Sequence, residues 1–175
     1  TGVFMQYYLH EDGTFTELLF KSVDAGAGLD RFAVVLQGVD SVYETDLLDP
    51  IMEVIVSGSS LPRNSRSTRI IVDHLRCSTF MIADGIKPGN LGREYILRRL
   101  LRKVFLHSKL AGLNMTVLQE TIPIIQNLFS PYYPELSGAG QLVKQTLEQE
   151  ASSFERTLNR GLREFEKIAI CSNNT

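Results

Sequence analysis

The sequence predicts an α+β protein, with an N-terminal antiparallel β piece followed by a mainly α-helical region. Three observations predict it. Two short runs rich in aromatic and β-branched residues flank an Asp-Gly pair near the N-terminus. From Tyr43 onward the apolar residues recur at the three and four residue spacing of helices. With 175 residues, 43% of them hydrophobic and 22% charged, the chain has the composition of a globular protein, as one domain or two small pieces sharing an interface.

The runs Val3 to Leu9 and Phe15 to Phe20 read as strands, and His10-Glu11-Asp12-Gly13-Thr14 between them as a hairpin turn. An isolated hairpin is not stable in water, so the other strands of that sheet are expected upstream. Next, an extended Ser22-Val23-Asp24 runs through Gly26 and Gly28 into a helix carrying Leu29, Phe32, Ala33 and Leu36. A strand that passes through glycines into a helix brings backbone close to a ligand and aims the helix N-terminus at it. A plain strand-to-helix turn uses glycine as readily. Asp24 and Arg31 flank the glycines, an anion and a cation able to face opposite ends of a zwitterionic or phosphorylated ligand.

Thr45 or Asp46 is expected to cap a helix through about Val56, and the polar Ser57 to Ser65 stretch reads as a linker and one candidate boundary. A helix from about Ser67 to Ala83 should bury Ile70, Ile71, Leu75, Phe80, Met81 and Ile82, with Asp73, His74 and Arg76 between them. It stops at Asp84-Gly85. Lys87 to Phe105 then divides into a loop and a helix whose buried stripe is Leu97, Leu100, Leu101 and Val104. Five cations, Arg93, Arg98, Arg99, Arg102 and Lys103, lie in that helix against the single anion Glu94. Acidic partners at i±4 are nearly missing, so its exposed face should carry a positive field suited to a polyanion such as RNA. The competing reading is an ordinary solvated charged face. Met115 to Phe129 forms a further helix, interrupted or restarted near Pro123. Pro131 and Pro134 bracket a connection, and Gly140 to Ile168 reads as a long amphipathic helix marked by Leu142, Val143, Leu147, Phe154, Leu158, Leu162 and Phe165. Its charged face is expected to be solvated.

The net charge of −2 makes any nucleic-acid contact a patch rather than the whole surface. No apolar run approaches the roughly 20 residues that span a bilayer, and the N-terminus lacks signal-peptide order. A cytoplasmic protein without membrane contact is expected. Thr1 in first position reads as the start of a piece cut from a longer chain. Cys77 and Cys171 have neither CxxC spacing nor a cluster of histidines around them, which argues against a disulfide or zinc site. His74 reads as a structural hydrogen-bonding residue, and His107 as a dipole or phosphate contact at the end of the basic helix.

Three blocks, VFMQYYLHEDGTFTELLFKSVDAGAGLDRFAVVLQGVDSVYETDLLDPI, RIIVDHLRCSTFMIADGIKPGNLGREYILRRLLRKV and FERTLNRGLREFEK, together resemble the alanyl-tRNA synthetase family, in its order and along almost the whole chain. The resemblance implies a class II synthetase: residues 1–42 as the C-terminal part of the catalytic domain and its antiparallel sheet, residues 43–175 as a helical tRNA-recognition domain. It implies ATP with magnesium as the cofactors of the parent enzyme, and alanine and the acceptor stem of tRNA(Ala) as partners. The piece itself is expected to be monomeric, inactive and without a tightly bound cofactor. Asp24 to Arg31 corresponds to the third class II motif, commonly D-T-G-M-G-L-E-R in this family. By that likeness Asp24 and Gly26 would bind alanine, Gly28 and Arg31 would bind ATP, and Arg31 would be catalytic, offsetting charge as pyrophosphate leaves. Ala25, Ala27 and Asp30 depart from the pattern, which admits a degenerate paralogue acting as an RNA-binding or protein-binding module. Pro88 to Arg99 resembles the family's P-S-N-E-G-R-G-Y-V-L-R-R run, and Asn90 matches the Asn that reads a wobble pair in the acceptor stem. Arg93, Arg98, Arg99, Arg102 and Lys103 would be the accompanying tRNA-binding residues. The Asp that partners Asn90 in the family would lie beyond Thr175.

Overall fold

The computed structural model describes residues 2–172, with side chains described as far as residue 168. The chain divides into two compact units, Thr1–Thr45 and Asp46–Thr175. The order of elements is that of an α+β protein, a two-stranded antiparallel sheet and then helices.

In the first unit, β1 (Gly2–Leu9) pairs with β2 (Phe15–Ala25), with Leu9 opposite Phe15 and Val3 opposite Asp24. The turn is made by local chemistry. The Gly13 amide donates to the His10 carbonyl at 3.0 Å, and the Asp12 carboxylate accepts from both the Thr14 amide and hydroxyl, at 2.9 and 2.7 Å. Those bonds favour the ionised form and hold the Asp12 carboxyl below its ordinary range. The register shifts between Met5 and Tyr7, where β2 bulges. Phe4, Tyr7, Tyr8, Leu9, Phe15, Leu19 and Phe20 are all exposed, so this sheet has no covered face among the described residues. Helix α1 (Leu29–Gln37) follows, then a 3-10 turn at Val42–Glu44.

The second unit holds α2 (Asp49–Gly58), α3 (Arg66–Ala83), α4 (Gly92–Leu110), α5 (Met115–Phe129) and α6 (Gly140–Ser172). Its core takes Ile51, Met52 and Ile55 from α2, Ile71, Val72 and Leu75 from α3, Leu97, Leu101 and Val104 from α4, Ile122 and Ile125 from α5, and Val143 and Leu147 from α6. Each of these is at most 1% exposed. Buried hydroxyls are returned to the backbone of their own helices: Thr79 donates to the Leu75 carbonyl at 2.9 Å and Thr121 to Leu118 at 2.7 Å.

Several sequence expectations are corrected. Neither Thr45 nor Asp46 caps α2, which begins at Asp49 with Pro50 in its first turn. Thr45 closes the preceding 3-10 turn instead, its hydroxyl donating to the Val42 carbonyl at 2.7 Å. The Ser57 to Ser65 stretch lies inside the second unit and is tied down there. The Ser60 amide donates to the Ala111 carbonyl at 2.9 Å, and Arg63 makes ion pairs with Asp49 and Glu53 of α2. Helix α5 runs through Pro123 unbroken, because Leu118, Thr121, Ile122 and Ile125 around it are buried and hold the segment against the core. Phe80 is only half-buried and meets the rings of Phe129 and Tyr133 edge-on, with centroids 5.4 and 5.1 Å away. Leu142, Leu162 and Phe165 of the expected α6 stripe are exposed.

Two of the three histidines, His74 and His107, lie on α3 and α4. His74 Nδ1 lies 3.2 Å from the Asp73 carboxylate, and this bond, with the charge of Arg76, holds Asp73 below its ordinary value. His107 faces Ser67, Nδ1 to Oγ 3.0 Å. Burial, then the charges of Arg66, His74 and Lys103, pushes its pKa below the ordinary 6.5 and favours the neutral ring.

Candidate functional site

In the first unit the end of β2, the following loop and the first turn of α1 make one open site. Gly26, Ala27, Gly28, Arg31, Phe32 and Val35 line a cleft of about 430 Å³. Gly28 is the N-cap of α1 in an extended conformation, and its carbonyl accepts from the amides of Arg31 and Phe32 at 3.1 and 3.0 Å. Asp24 is paired opposite Val3, one residue before β2 ends at Ala25, and is exposed, as is Arg31. Neither glycine is demanded by its own backbone. Gly26 and Gly28 have no positive φ, and a Cβ would meet nothing within 4 Å at Gly26 and only the Arg31 side chain, at 3.7 Å, at Gly28. The absence of side chains at both points leaves backbone open on the cleft, which suits close approach by a ligand.

In the second unit the loop between α3 and α4 carries Asn90, exposed, and α4 carries the five cations on two distinct sides. Arg93, Arg99 and Lys103 are exposed. Arg98 and Arg102, one turn apart, face α6 and share the carboxylate of Glu150. Arg102 Nε donates to Glu150 Oε1 at 2.9 Å, and Arg98 Nε lies 3.4 Å from the same oxygen. Glu150 is 5% exposed. Arg98 also donates to the Asn90 side-chain oxygen and, at 3.1 Å, to the Pro88 carbonyl. The Arg102 guanidinium carbon sits 5.9 Å from the centre of the Phe154 ring. Tyr95, Arg99, Lys103, Leu106 and Phe154, with the two inward arginines, line a groove of about 330 Å³ that offers cations, aromatic rings and apolar surface together.

Sequence reading found the basic residues and Asn90, missed Glu150, and placed Phe154 only in the apolar stripe of α6, not beside the arginines. Both come from α6, and the hydrogen bond from Arg102 to Glu150 spans 48 residues. No local spacing announces such a pair. The expectation that the charged face of α6 is solvated is therefore corrected at Glu150. Among the described residues there is no group of three or more His, Cys, Asp or Glu side chains that could hold a metal ion. Among them, too, no helix is long and apolar enough to cross a membrane.

The loop departs from the family pattern at two positions that meet in space. Where the resembled run has Ser and Gly, this chain has Gly89 and Glu94. The Gly89 amide donates to the Glu94 carbonyl at 3.0 Å. A Cβ at residue 89 would fall 2.6 Å from the Glu94 Cβ, an atom that α4 fixes. The exchange is thus reciprocal, since the side chain lost at one position makes room for the side chain gained at the other. Gly89→Ser is expected to destabilise the protein by about 1–3 kcal/mol. Adding Glu94→Gly should recover most of that loss, giving a coupling of about 1 kcal/mol or more in a denaturant double-mutant cycle. Strict additivity would show that the two positions do not compete for space.

Comparison with known proteins agrees with this architecture. The family described as tRNA synthetases class II (A) matches residues 1–174. The chain is 42% identical over 164 residues to an alanine-tRNA ligase of Parvibaculum lavamentivorans, covering 92% of this chain and 18% of that protein. It is 40% identical over 167 residues to one of Cereibacter sphaeroides, covering 94% and 19%. It is 39% identical over 165 residues to one of Natranaerobius thermophilus, covering 91% and 19%. The chain thus spans less than a fifth of the length of these relatives. With almost every residue matched, and with the glycine loop and the Asn90 loop both present in family order, the chain belongs to the alanyl branch of the class II tRNA synthetases.

Proposed function

We propose that this chain is part of an alanine-tRNA ligase, an enzyme that activates alanine with ATP and transfers it to tRNA(Ala). The Thr1–Thr45 unit contributes part of the alanine and ATP site, as the end of the catalytic domain, and the Asp46–Thr175 unit supplies helices that bind the acceptor stem. The observation that carries the proposal is the pairing of an exposed Asn90 with the exposed cations Arg93, Arg99 and Lys103 on the next helix. An amide has both donors and acceptors for base edges, and A-form RNA offers those edges in a wide, shallow minor groove. Cations alongside suit the flanking phosphates, which fix position without reading sequence.

In the first unit, Asp24 pairs with the alanine ammonium and the open backbone at Gly26 and Gly28 accepts the adenylate. The Arg31 guanidinium binds the departing phosphates. When the alanine carboxylate attacks the α-phosphorus, pyrophosphate leaves with added negative charge, and a planar donor that keeps its own charge stabilises that change. Magnesium would accompany ATP as its counter-ion, supplying positive charge to the phosphates. The reaction fits a cytoplasmic setting.

A second reading, a paralogue that has lost ligation and keeps the helices as an RNA-binding or protein-binding module, is favoured by Ala25, Ala27 and Asp30. The first two put smaller side chains beside the alanine pocket.

Alone, the 175-residue chain is monomeric, holds no tight cofactor and does not activate alanine. ATP-pyrophosphate exchange should stay at background, and alanine-dependent exchange above it would show that these residues suffice. For tRNA binding titrated against salt, Arg99→Ala and Lys103→Ala should each weaken affinity and reduce the log-log slope by about 1. Unchanged slopes would assign both residues to a solvated face.

A further inference from the structure

We propose that Arg98 is the positioning residue for Asn90: its guanidinium holds the amide oxygen inward, so that the loop presents the Asn90 Nδ2 donors to the acceptor stem. The inference rests on the assignment of Asn90 to the acceptor stem and extends it to a residue that would otherwise count as one more phosphate contact.

Both terminal nitrogens of Arg98 make hydrogen bonds, and Nε makes only the longer ion-pair contact with the carboxylate oxygen that Arg102 also binds. One terminal nitrogen donates to Asn90 Oδ1, the other to the Pro88 carbonyl at 3.1 Å, and Nε faces Glu150 Oε1 at 3.4 Å. A guanidinium carries donors and no acceptor, so the amide atom that meets it must be the oxygen. The orientation of the Asn90 side chain follows from that chemistry. The amide then turns its two N–H donors away from Arg98, and the groups they match on a minor-groove face are acceptors, a base oxygen or ring nitrogen or a ribose hydroxyl. Presenting the acceptor side instead would break a charge-assisted bond.

The arginine is itself held. Glu150 is 5% exposed and is also bound by Arg102 at 2.9 Å, so the fork of Arg98 cannot swing out without leaving a buried carboxylate with one partner fewer. The bond to the Pro88 carbonyl fixes the backbone two residues before Asn90. Loop, α4 and α6 are thereby joined at one guanidinium. The Arg98 side chain is less exposed than that of Arg102, 24% against 34%. Exposed cations suited to phosphate are available from Arg99 and Lys103 on the same helix.

The test uses the full-length protein that contains this chain, binding two tRNAs that differ only in the acceptor-stem wobble pair, G·U against G·C, over a range of salt. Asn90→Ala and Arg98→Ala should each reduce the ratio of the two affinities by roughly tenfold, the worth of one good base contact. The double variant should lose no more than either single one, because the two side chains act as one unit. Arg98→Lys keeps the charge but offers one nitrogen where two are used, and it should lose discrimination with the parent's salt slope. If Arg98→Ala does not fold, Arg98→Gln with Glu150→Gln removes the buried charge together with its partner and carries the same comparison. Retained discrimination in the Arg98 variants, with loss in Asn90→Ala, would overturn the proposal. So would an equal weakening of both tRNAs with a flatter salt slope, which would make Arg98 a phosphate contact. Unchanged discrimination in Asn90→Ala would instead overturn the assignment of Asn90 itself.

Discussion

A carboxylate taken out of water has to be met by opposite charge, and in this protein that requirement is concentrated at Glu150. Its side chain is 6% exposed and lies against both Arg98 and Arg102. Removing one partner from a buried pair costs about 3–5 kcal/mol in proteins generally, far more than the fraction of a kcal/mol typical of surface pairs. The pair therefore has the strength to decide how α4 is presented. Arg98 and Arg102 turn toward α6, while Arg93, Arg99 and Lys103 remain exposed. A helix that looks uniformly basic is thus divided into a structural side and a free side, and Asn90 is fastened to the structural side.

The first unit is built on a different constraint. Its hairpin has a well-made turn but leaves Phe4, Phe15, Leu19 and Phe20 exposed, and its loop holds two glycines whose own conformations do not require glycine. Both features are costly in isolation. Apolar strand residues lose their stabilising burial, and glycine loses the most backbone entropy on ordering. They make sense where a sheet is continued by other strands and a ligand lies against the loop, which is the arrangement the proposed alanine and ATP site needs. In the proposed site, Ala25 and Ala27 would remove bulk beside the ligand.

What could be read from sequence was what depends on near neighbours. The Asp12-Gly13 turn follows from bonds within five residues, and the Leu97, Leu101 and Val104 stripe follows from helical period alone. The glycine and Asn90 loops were recognisable because their residues are contiguous. Pro123 was misjudged because a local rule, the missing N–H, was outweighed by burial on the same helix. The polar segment after α2 looked like a boundary because its anchors, Ala111 and the two carboxylates on α2, are remote or lie on another element. Glu150 was invisible for the same reason, and with it the division of the arginines into two sets. Leu162 and Phe165 show the converse limit, since periodicity marks a face as apolar without saying what covers it.

The most direct measurement is therefore a thermodynamic cycle on the buried pair. Unfolding free energies of Glu150→Gln, Arg102→Ala and the double variant, taken from urea titrations at low and high salt, isolate the coupling between α4 and α6. Direct contact at 2.9 Å with a carboxylate shielded from solvent predicts a coupling of about 1–3 kcal/mol that salt barely changes. Additive losses, or a coupling that disappears in high salt, would mean that the pair is ordinary surface charge and that Glu150 does not set the two faces of α4.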